Sequence, residues 1–457
     1  MMKLSESIAQ RIPSLLVTRT MQVYLFFCYA IFSLLLFMYS PQSSESLPLF
    51  YLQCASIFFF VIFFLAGTFF SPYAFMLFVL IYQLSLSVAW GEFFLRNPYL
   101  LDNNGDWKTY VSWASQASSA ENFFDYAAII KHTVFETADM GYPLFLYPYY
   151  KMFTNFEDAY FASVVGKALF YSVGTIYVYK IAKRFLSKPN AKLAFLLWAL
   201  NPAAIFFNGV NLKENVFVTI CIFAVYNMLV FKNSKNVFYL LGFLFFTFLT
   251  IFFRMFVTFF IFATFLSATV FQKLIHRHFT QIWIVIALLG FVAIKLLMTL
   301  VPALGYFVSQ SVGGGSGISM PVLILSAFVS PIPAFNQSRT TPDNLLVCAY
   351  SIFTIVLSFY AVYEIFLIFK HKRENLYPLV FLTFFNKLLV IVSARSNEYR
   401  FQYPLVFSYV VLMICGFADV SECRFSMLGK KRIGNDIIAP FFLIMALGLT
   451  YLYNGKF

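Results

Sequence analysis

Long apolar runs alternate with short polar breaks along this chain. Runs of about 17 to 25 mainly apolar residues occupy 21–40, 49–69, 74–95, 159–182, 191–208, 215–231, 237–253, 255–272, 282–301, 345–369, 376–393, 402–418 and 437–453. About 20 such residues carry a helix across the hydrocarbon core of a bilayer. The pattern predicts an all-α polytopic membrane protein with about 13 transmembrane helices, one membrane domain over 1–457. The run 191–208 contains Pro202, and 215–231 is short.

Two longer stretches break the rhythm. Within 96–158, Trp107, Tyr110, Val111, Trp113 and Ala114 fall at helical spacing. They predict a short amphipathic helix in the membrane interface, with Asp106 near its N-terminus. The later "MGYPLFLYPYYKMF" is rich in proline and aromatics and reads as a membrane-surface aromatic belt. The stretch 302–344 holds "VGGGSG" and then "MPVLILSAFVSPIPAFNQ", too short and proline-rich for a span. It reads as a re-entrant or interfacial segment.

Composition supports the membrane reading. The 457 residues are 61% hydrophobic and 11% charged, whereas a soluble domain carries about 25% charged residues. The net charge of +13 is explained by its distribution and does not point to nucleic acid. With residues 1–20 in the cytoplasm, the inner turns hold Lys3, Arg11 and Arg19; Lys180, Lys183, Arg184, Lys188 and Lys192; Lys232 and Lys235; Lys273 and Arg277; Lys370, Lys372 and Arg373; and Arg424, Lys430, Lys431 and Arg432. That is the positive-inside pattern. The 96–158 loop, with Asp102, Asp106, Glu121, Asp125, Glu136, Asp139, Glu157 and Asp158, then faces outward. The polar N-terminus followed by a long apolar run does not resemble a cleavable signal peptide. The six cysteines show no metal-like spacing and read as small core hydrophobes. "HRH" (276–278) reads as a basic loop, and no metal or cofactor motif is expected.

Some charges run against this pattern. Lys213 and Glu214 in "NGVNLKENVF", Arg254 in "TIFFRMFVTFF", and Arg395, Tyr399 and Arg400 in "SARSNEYRFQYPL" fall at outward turns. Cations there suit phosphate oxygens, which guanidinium forks bind in bidentate fashion. A carboxylate in the same compartment suits proton removal from a hydroxyl. Each residue also has a plainer reading. Asp106 fits a helix N-cap, Glu214 and Asn215 fit the cap of the next helix, Arg254 fits a snorkelling side chain, and Arg395 and Arg400 fit a surface network with Glu398. Taken together, one acidic loop and three cationic turns share a side. A transporter more often carries its charges within spans near the midplane. The arrangement favours chemistry at the outer leaflet on a lipid-linked phosphate.

These segments resemble the GT-C class of integral-membrane glycosyltransferases and related polymerase-like proteins of surface-polysaccharide assembly. The resemblance rests on "GDWKTYVSWA" (105–114), "WALNPAAIFFNGVNLKENVF" (198–217), "SPIPAF" (330–335) and "NEYRFQYPL" (397–405). The class places its acidic loop after the first span. Here the loop follows the third run, so the first two runs read as an N-terminal addition. The resemblance implies a polyprenyl-phosphate-linked sugar donor and a lipid-linked glycan acceptor. It implies Asp106 as the base, with Asp102 as substitute. Lys213, Arg254, Arg395 and Arg400 would hold phosphate, and Glu214 and Tyr399 would orient the sugar or the ligands. The leading expectation is a transferase at the outer face of a bacterial inner membrane. A repeat-unit polymerase for O-antigen or capsule and a lipid-linked sugar flippase are the alternatives.

Overall fold

The computed structural model describes residues 47–97, 106–134, 137–269, 342–371, 373–392, 403–425 and scattered positions between 441 and 448. The runs 21–40 and 282–301, the segment 302–341 and most of 437–453 lie outside the described residues. So do Asp102, Arg395, Tyr399 and Arg400.

Fourteen α-helices carry the described chain, which has no strand. They are α1 (Leu47–Gly67), α2 (Pro72–Arg96), α3 (Asp106–Ala117), α4 (Phe123–Thr133), α5 (Gly141–Met152), α6 (Phe156–Ala182), α7 (Lys188–Ala199), α8 (Pro202–Gly209), α9 (Glu214–Ser234), α10 (Val237–Ile251), α11 (Met255–Thr269), α12 (Pro342–His371), α13 (Tyr377–Val392) and α14 (Val406–Phe425). Among them, six stretches are long and apolar enough to cross a membrane: Pro72–Arg96, Phe156–Ala182, Lys188–Gly209, Glu214–Ser234, Thr354–His371 and Tyr403–Val420. The other expected spans that fall on described residues are also helical.

The proline-containing run forms one span in two pieces. Pro202 has no amide hydrogen and clashes with a continuing helix, so the chain breaks at Asn201. Asn201 restarts it, its side-chain oxygen accepting from the Ala203 amide at 3.0 Å. The break leaves the last carbonyls of α7 without helical partners, which is costly in an apolar setting. Neighbouring side chains take them up. Tyr171 donates to the Trp198 carbonyl at 2.7 Å, Tyr350 to Leu197 at 3.0 Å, Tyr82 to Leu200 at 3.1 Å and Gln83 to Ala199 at 3.4 Å. These donors come from α6, α12 and α2, so the broken span is the hub of the bundle. Nine-tenths of it is buried, 94%.

Lipid tails are as apolar as leucine, so helices in a bilayer associate through close packing and internal hydrogen bonds. The chain's phenylalanines and glycines supply the packing. A Cβ on Gly209 of α8 would sit 2.8 Å from both the Ser87 carbonyl and the Trp90 Cβ of α2. Glycine therefore sets how closely α2 and α8 approach. Trp90 meets Phe206 edge to face at 6.2 Å, and Trp198 stacks on Tyr403 at 5.3 Å.

Within the acidic 96–158 stretch, the short helix that the periodicity predicts around Trp107–Ala114 is present as α3. α3 buries Trp107, Tyr110, Val111, Ala114 and Ala117 on one face. The aromatic run 140–153 differs from the expected surface belt. It is α5, and it turns Tyr142, Leu146 and Tyr150 into the core while Met152 and Phe153 stay exposed. Its i, i+4, i+8 spacing is that of a helix buried along one side.

Candidate active site

The site is built on the turn that joins the broken span to α9. Asn211 takes a left-handed φ of 59°, a conformation asparagine tolerates better than most residues. Its side-chain oxygen accepts from the Tyr142 hydroxyl of α5 and from the Ser163 hydroxyl of α6, the latter at 3.1 Å. The Gly209 carbonyl accepts from Tyr160. Lys167, fully buried on α6, donates to the carbonyls of Asn208 at 2.8 Å and Phe207 at 3.3 Å. A cation at a helix C-terminus also meets the negative end of the helix dipole. Four side chains from two helices thus fix the backbone that presents Lys213 and Glu214.

Lys213 is 5% exposed. Its ammonium pairs with Asp139, donates to the Phe253 carbonyl at 3.4 Å and lies 5.3 Å from the centre of the Tyr110 ring. Tyr110, on α3, donates to the same Asp139 oxygen at 2.9 Å. Glu214, fully buried at the start of α9, pairs with Arg254 at 3.3 Å. That position also suits an acid, because the N-terminus of a helix carries partial positive charge.

The turn after α10 brings Arg254 in, and Gly141 fixes that turn against α5. The Gly141 amide donates to the Phe252 carbonyl at 2.9 Å. A Cβ at Gly141 would sit 2.9 Å from that carbonyl and 2.6 Å from the Phe253 ring. Asn215 ties the same place to the C-terminal helices, accepting from the Tyr403 hydroxyl at 2.8 Å.

Burial raises the carboxyl of Asp139. The charge and hydrogen bond of Lys213, the Tyr110 hydroxyl and the charge of Arg254 outweigh it and hold the group below the ordinary carboxylate range. Burial lowers the Lys213 ammonium, as does repulsion from Arg254, while Asp139 and Glu214 oppose that shift. Taking charges out of water costs several kcal/mol per ion, so two ion pairs at this depth are expensive as mere ties between helices. Perturbed, partly buried charges of this kind concentrate at functional sites.

Three of the residues expected from the sequence, Lys213, Glu214 and Arg254, stand together. Asp106 is the exposed first residue of α3. It lies four positions before Tyr110, hence on the same helical face and roughly 6 Å along the axis. Sequence reasoning missed Asp139 as the partner of Lys213, the Tyr110 and Tyr142 hydroxyls, Asn211, and the role of Lys167. Asn211 carried a readable signal, a polar residue in the "NGVN" turn. Asp139 carried none, since it was one of eight acids in its loop. Among the described residues no three His, Cys, Asp or Glu side chains gather in a way that would hold a metal.

Residues 143–304 match the family model of the dolichyl-phosphate-mannose-protein mannosyltransferases. The matched stretch contains Lys167, Asn211, Lys213, Glu214 and Arg254; Asp106, Tyr110 and Asp139 precede it. The chain matches no curated protein and no solved structure. The family match and the all-helical architecture agree with a membrane glycosyltransferase of the GT-C class.

Proposed function

We propose that this chain is an integral-membrane glycosyltransferase working at the outer face of a bacterial inner membrane. It takes a sugar from a polyprenyl-phosphate carrier and passes it to a lipid-linked glycan acceptor, in assembly or modification of a surface polysaccharide such as O-antigen or capsule. The observation that carries this reading is the meeting of Lys213 and Arg254. They come from turns 41 positions apart in the chain, and each is held by its own carboxylate, at the end of the bundle that α3 covers. The similarity of 143–304 to a family named for a polyprenyl-phosphate-type sugar donor supports it independently.

The chemistry needs three actions. An acceptor hydroxyl forms a bond to the anomeric carbon of the donor sugar. The bond from that carbon to the phosphate oxygen breaks. The hydroxyl proton passes to a carboxylate, and polyprenyl phosphate leaves with the bonding electrons. Lys213 and Arg254 stabilise the charge that grows on the leaving phosphate, and such preorganised electrostatic help is commonly the largest catalytic contribution. Arg395 and Arg400, outside the described residues, would add to this clamp, and Glu214 and Tyr399 would orient the groups.

Asp106 is the base in this reading. Asp139 is held below the ordinary carboxylate range by two donors on one oxygen, and a weaker base takes a proton less readily. Its role is to hold Lys213 in place. Asp106 stands exposed one helical turn before Tyr110 on α3.

The test is transfer from a labelled polyprenyl-phosphate sugar by the purified protein in liposomes. Asp106→Asn is expected to lower turnover about 10²- to 10⁴-fold with donor binding retained. Wild-type turnover in Asp106→Asn would remove Asp106 from the reaction. Absence of any new glycosidic product with the wild-type chain, alongside movement of the labelled lipid across the bilayer, would establish a flippase instead.

A further inference from the structure

A cavity of about 390 Å³ opens at the other end of the bundle. Its walls are the α1–α2 turn (Thr68, Ser71), the last turns of α6 (Tyr179) and the start of α7 (Lys188, Lys192). Tyr179 lies 19 residues along α6 from Tyr160, which reaches the candidate active site, so the two places are roughly 28 Å apart. That is about the thickness of the hydrocarbon core. The cavity belongs to the opposite membrane interface and takes no part in the transfer reaction.

Its lining is one-signed. Lys188 and Lys192 contribute ammonium groups, and no lining residue is acidic. Lys192 donates to the Thr68 carbonyl, which anchors one wall while keeping its charge in the cavity. Lys188 is exposed at the mouth. Next to the mouth the surface turns apolar: Phe69 is 83% exposed, and Tyr73, Leu77 and Ile81 are exposed at four-residue intervals down α2. That spacing draws a ridge along the face of a spanning helix. A pocket for a small anion thus sits directly above a track for hydrocarbon.

We propose that this cavity binds the headgroup of an acidic glycerophospholipid, its phosphodiester between Lys188 and Lys192 and its acyl chain along Tyr73, Leu77 and Ile81. The volume suits a small polar ligand, since such pockets run from about 300 to 1,000 Å³. Each lysine near an anionic lipid surface contributes about 1 kcal/mol, close to a fivefold preference. The apolar ridge commits the site to a lipid over a soluble phosphate.

The experiment uses the full chain with Phe69→Trp, an exposed position beside the mouth, in nanodiscs. Quenching of its emission by brominated phosphatidylglycerol is compared with quenching by brominated phosphatidylcholine. The chain is expected to prefer phosphatidylglycerol. Lys188→Gln should lower that preference about fivefold, and adding Lys192→Gln should lower it about 25-fold, if the two contributions add. Lys183→Gln removes an exposed lysine close by that does not line the cavity and should leave the preference intact. An undiminished preference in Lys188→Gln overturns the proposal, and Lys188→Gln keeps the test sound because it leaves the Lys192–Thr68 tie in place. An equal loss in Lys183→Gln overturns it too, by showing generic attraction to the surface. Displacement of the lipid by inorganic phosphate at millimolar level would reassign the cavity to a soluble anion.

Discussion

Charges gather at both ends of the bundle, but the two clusters are built differently. At one end Lys213 and Arg254 face Asp139 and Glu214, two cations for two carboxylates, drawn from the loop before α5, the start of α9 and the turn after α10. A tyrosine hydroxyl and a backbone carbonyl complete the coordination. At the other end Arg373 lies between Glu364, at 3.1 Å, and Asp419, one cation for two carboxylates. There the arginine follows α12, where a cation is favourable, and it ties that helix to α14. On the proposed reading, a phosphate is better met by two desolvated cations than by a single arginine already shared between two acids. The balance of charge, more than the presence of ion pairs, separates a site from a brace.

Breaking the two clusters should therefore have different consequences. Glu214→Ala removes the partner of Arg254 deep in the protein, and an uncompensated charge of that kind costs about 3–5 kcal/mol. It should lower both the thermal midpoint and transfer turnover. Arg373→Ala also leaves a buried carboxylate behind, but its own side chain is 36% exposed, so solvent screens much of the interaction and about 1–2 kcal/mol is expected. Its turnover per folded molecule should match wild type. Thermal unfolding and transfer assays on the two variants measure this directly. Equal loss of specific turnover in both would erase the distinction between site and brace.

A smaller change tests the geometry without removing a charge. In Gly141→Ala the new methyl meets the Phe252 carbonyl and the Phe253 ring, so the turn bearing Arg254 has to move away from Asp139. Overpacking of this sort costs about 1–3 kcal/mol. Donor affinity should fall while binding of a sugar lacking the phosphate stays unchanged. Loss of both together would mean general misfolding.

How much of this was legible beforehand follows from the kind of signal each feature leaves. The described apolar runs were legible as helices because a run of about 20 apolar residues has few other fates. That Lys213, Glu214 and Arg254 belong together was legible too, since cations at turns expected to face outward oppose the usual charge pattern, and the structure brings these three together. The break at Asn201 was half legible. Pro202 announced it, but the hydroxyls of Tyr82, Tyr171 and Tyr350 that make it tolerable come from distant helices. Lys167 sat in an apolar span with no hint that it grips the last turn of α8. Asp139 was hidden among equivalent acids, because pairing across 74 residues leaves no trace in local spacing.

The finest probe of the comparison is Tyr110→Phe, which removes the hydroxyl that donates to Asp139 and keeps the ring beside Lys213. The folded protein holds this carboxyl below its usual range, and the unfolded chain releases it to the ordinary value near 4. The associated stability is complete above that ordinary value and is lost as pH falls through the folded value. Removing the hydroxyl raises the folded value, so the acid loss is smaller and ends at a higher pH. The expected cost at neutral pH is about 1 kcal/mol, tempered because Asp139 is a third exposed. Thermal midpoints from neutral pH down past pH 4 should separate the two curves most at neutral pH and bring them together in acid. Arg373→Ala, which leaves Asp139 untouched, should not alter the Asp139 part of that profile. Parallel curves for wild type and Tyr110→Phe would mean that the Tyr110 hydroxyl does not steady the carboxylate that holds Lys213.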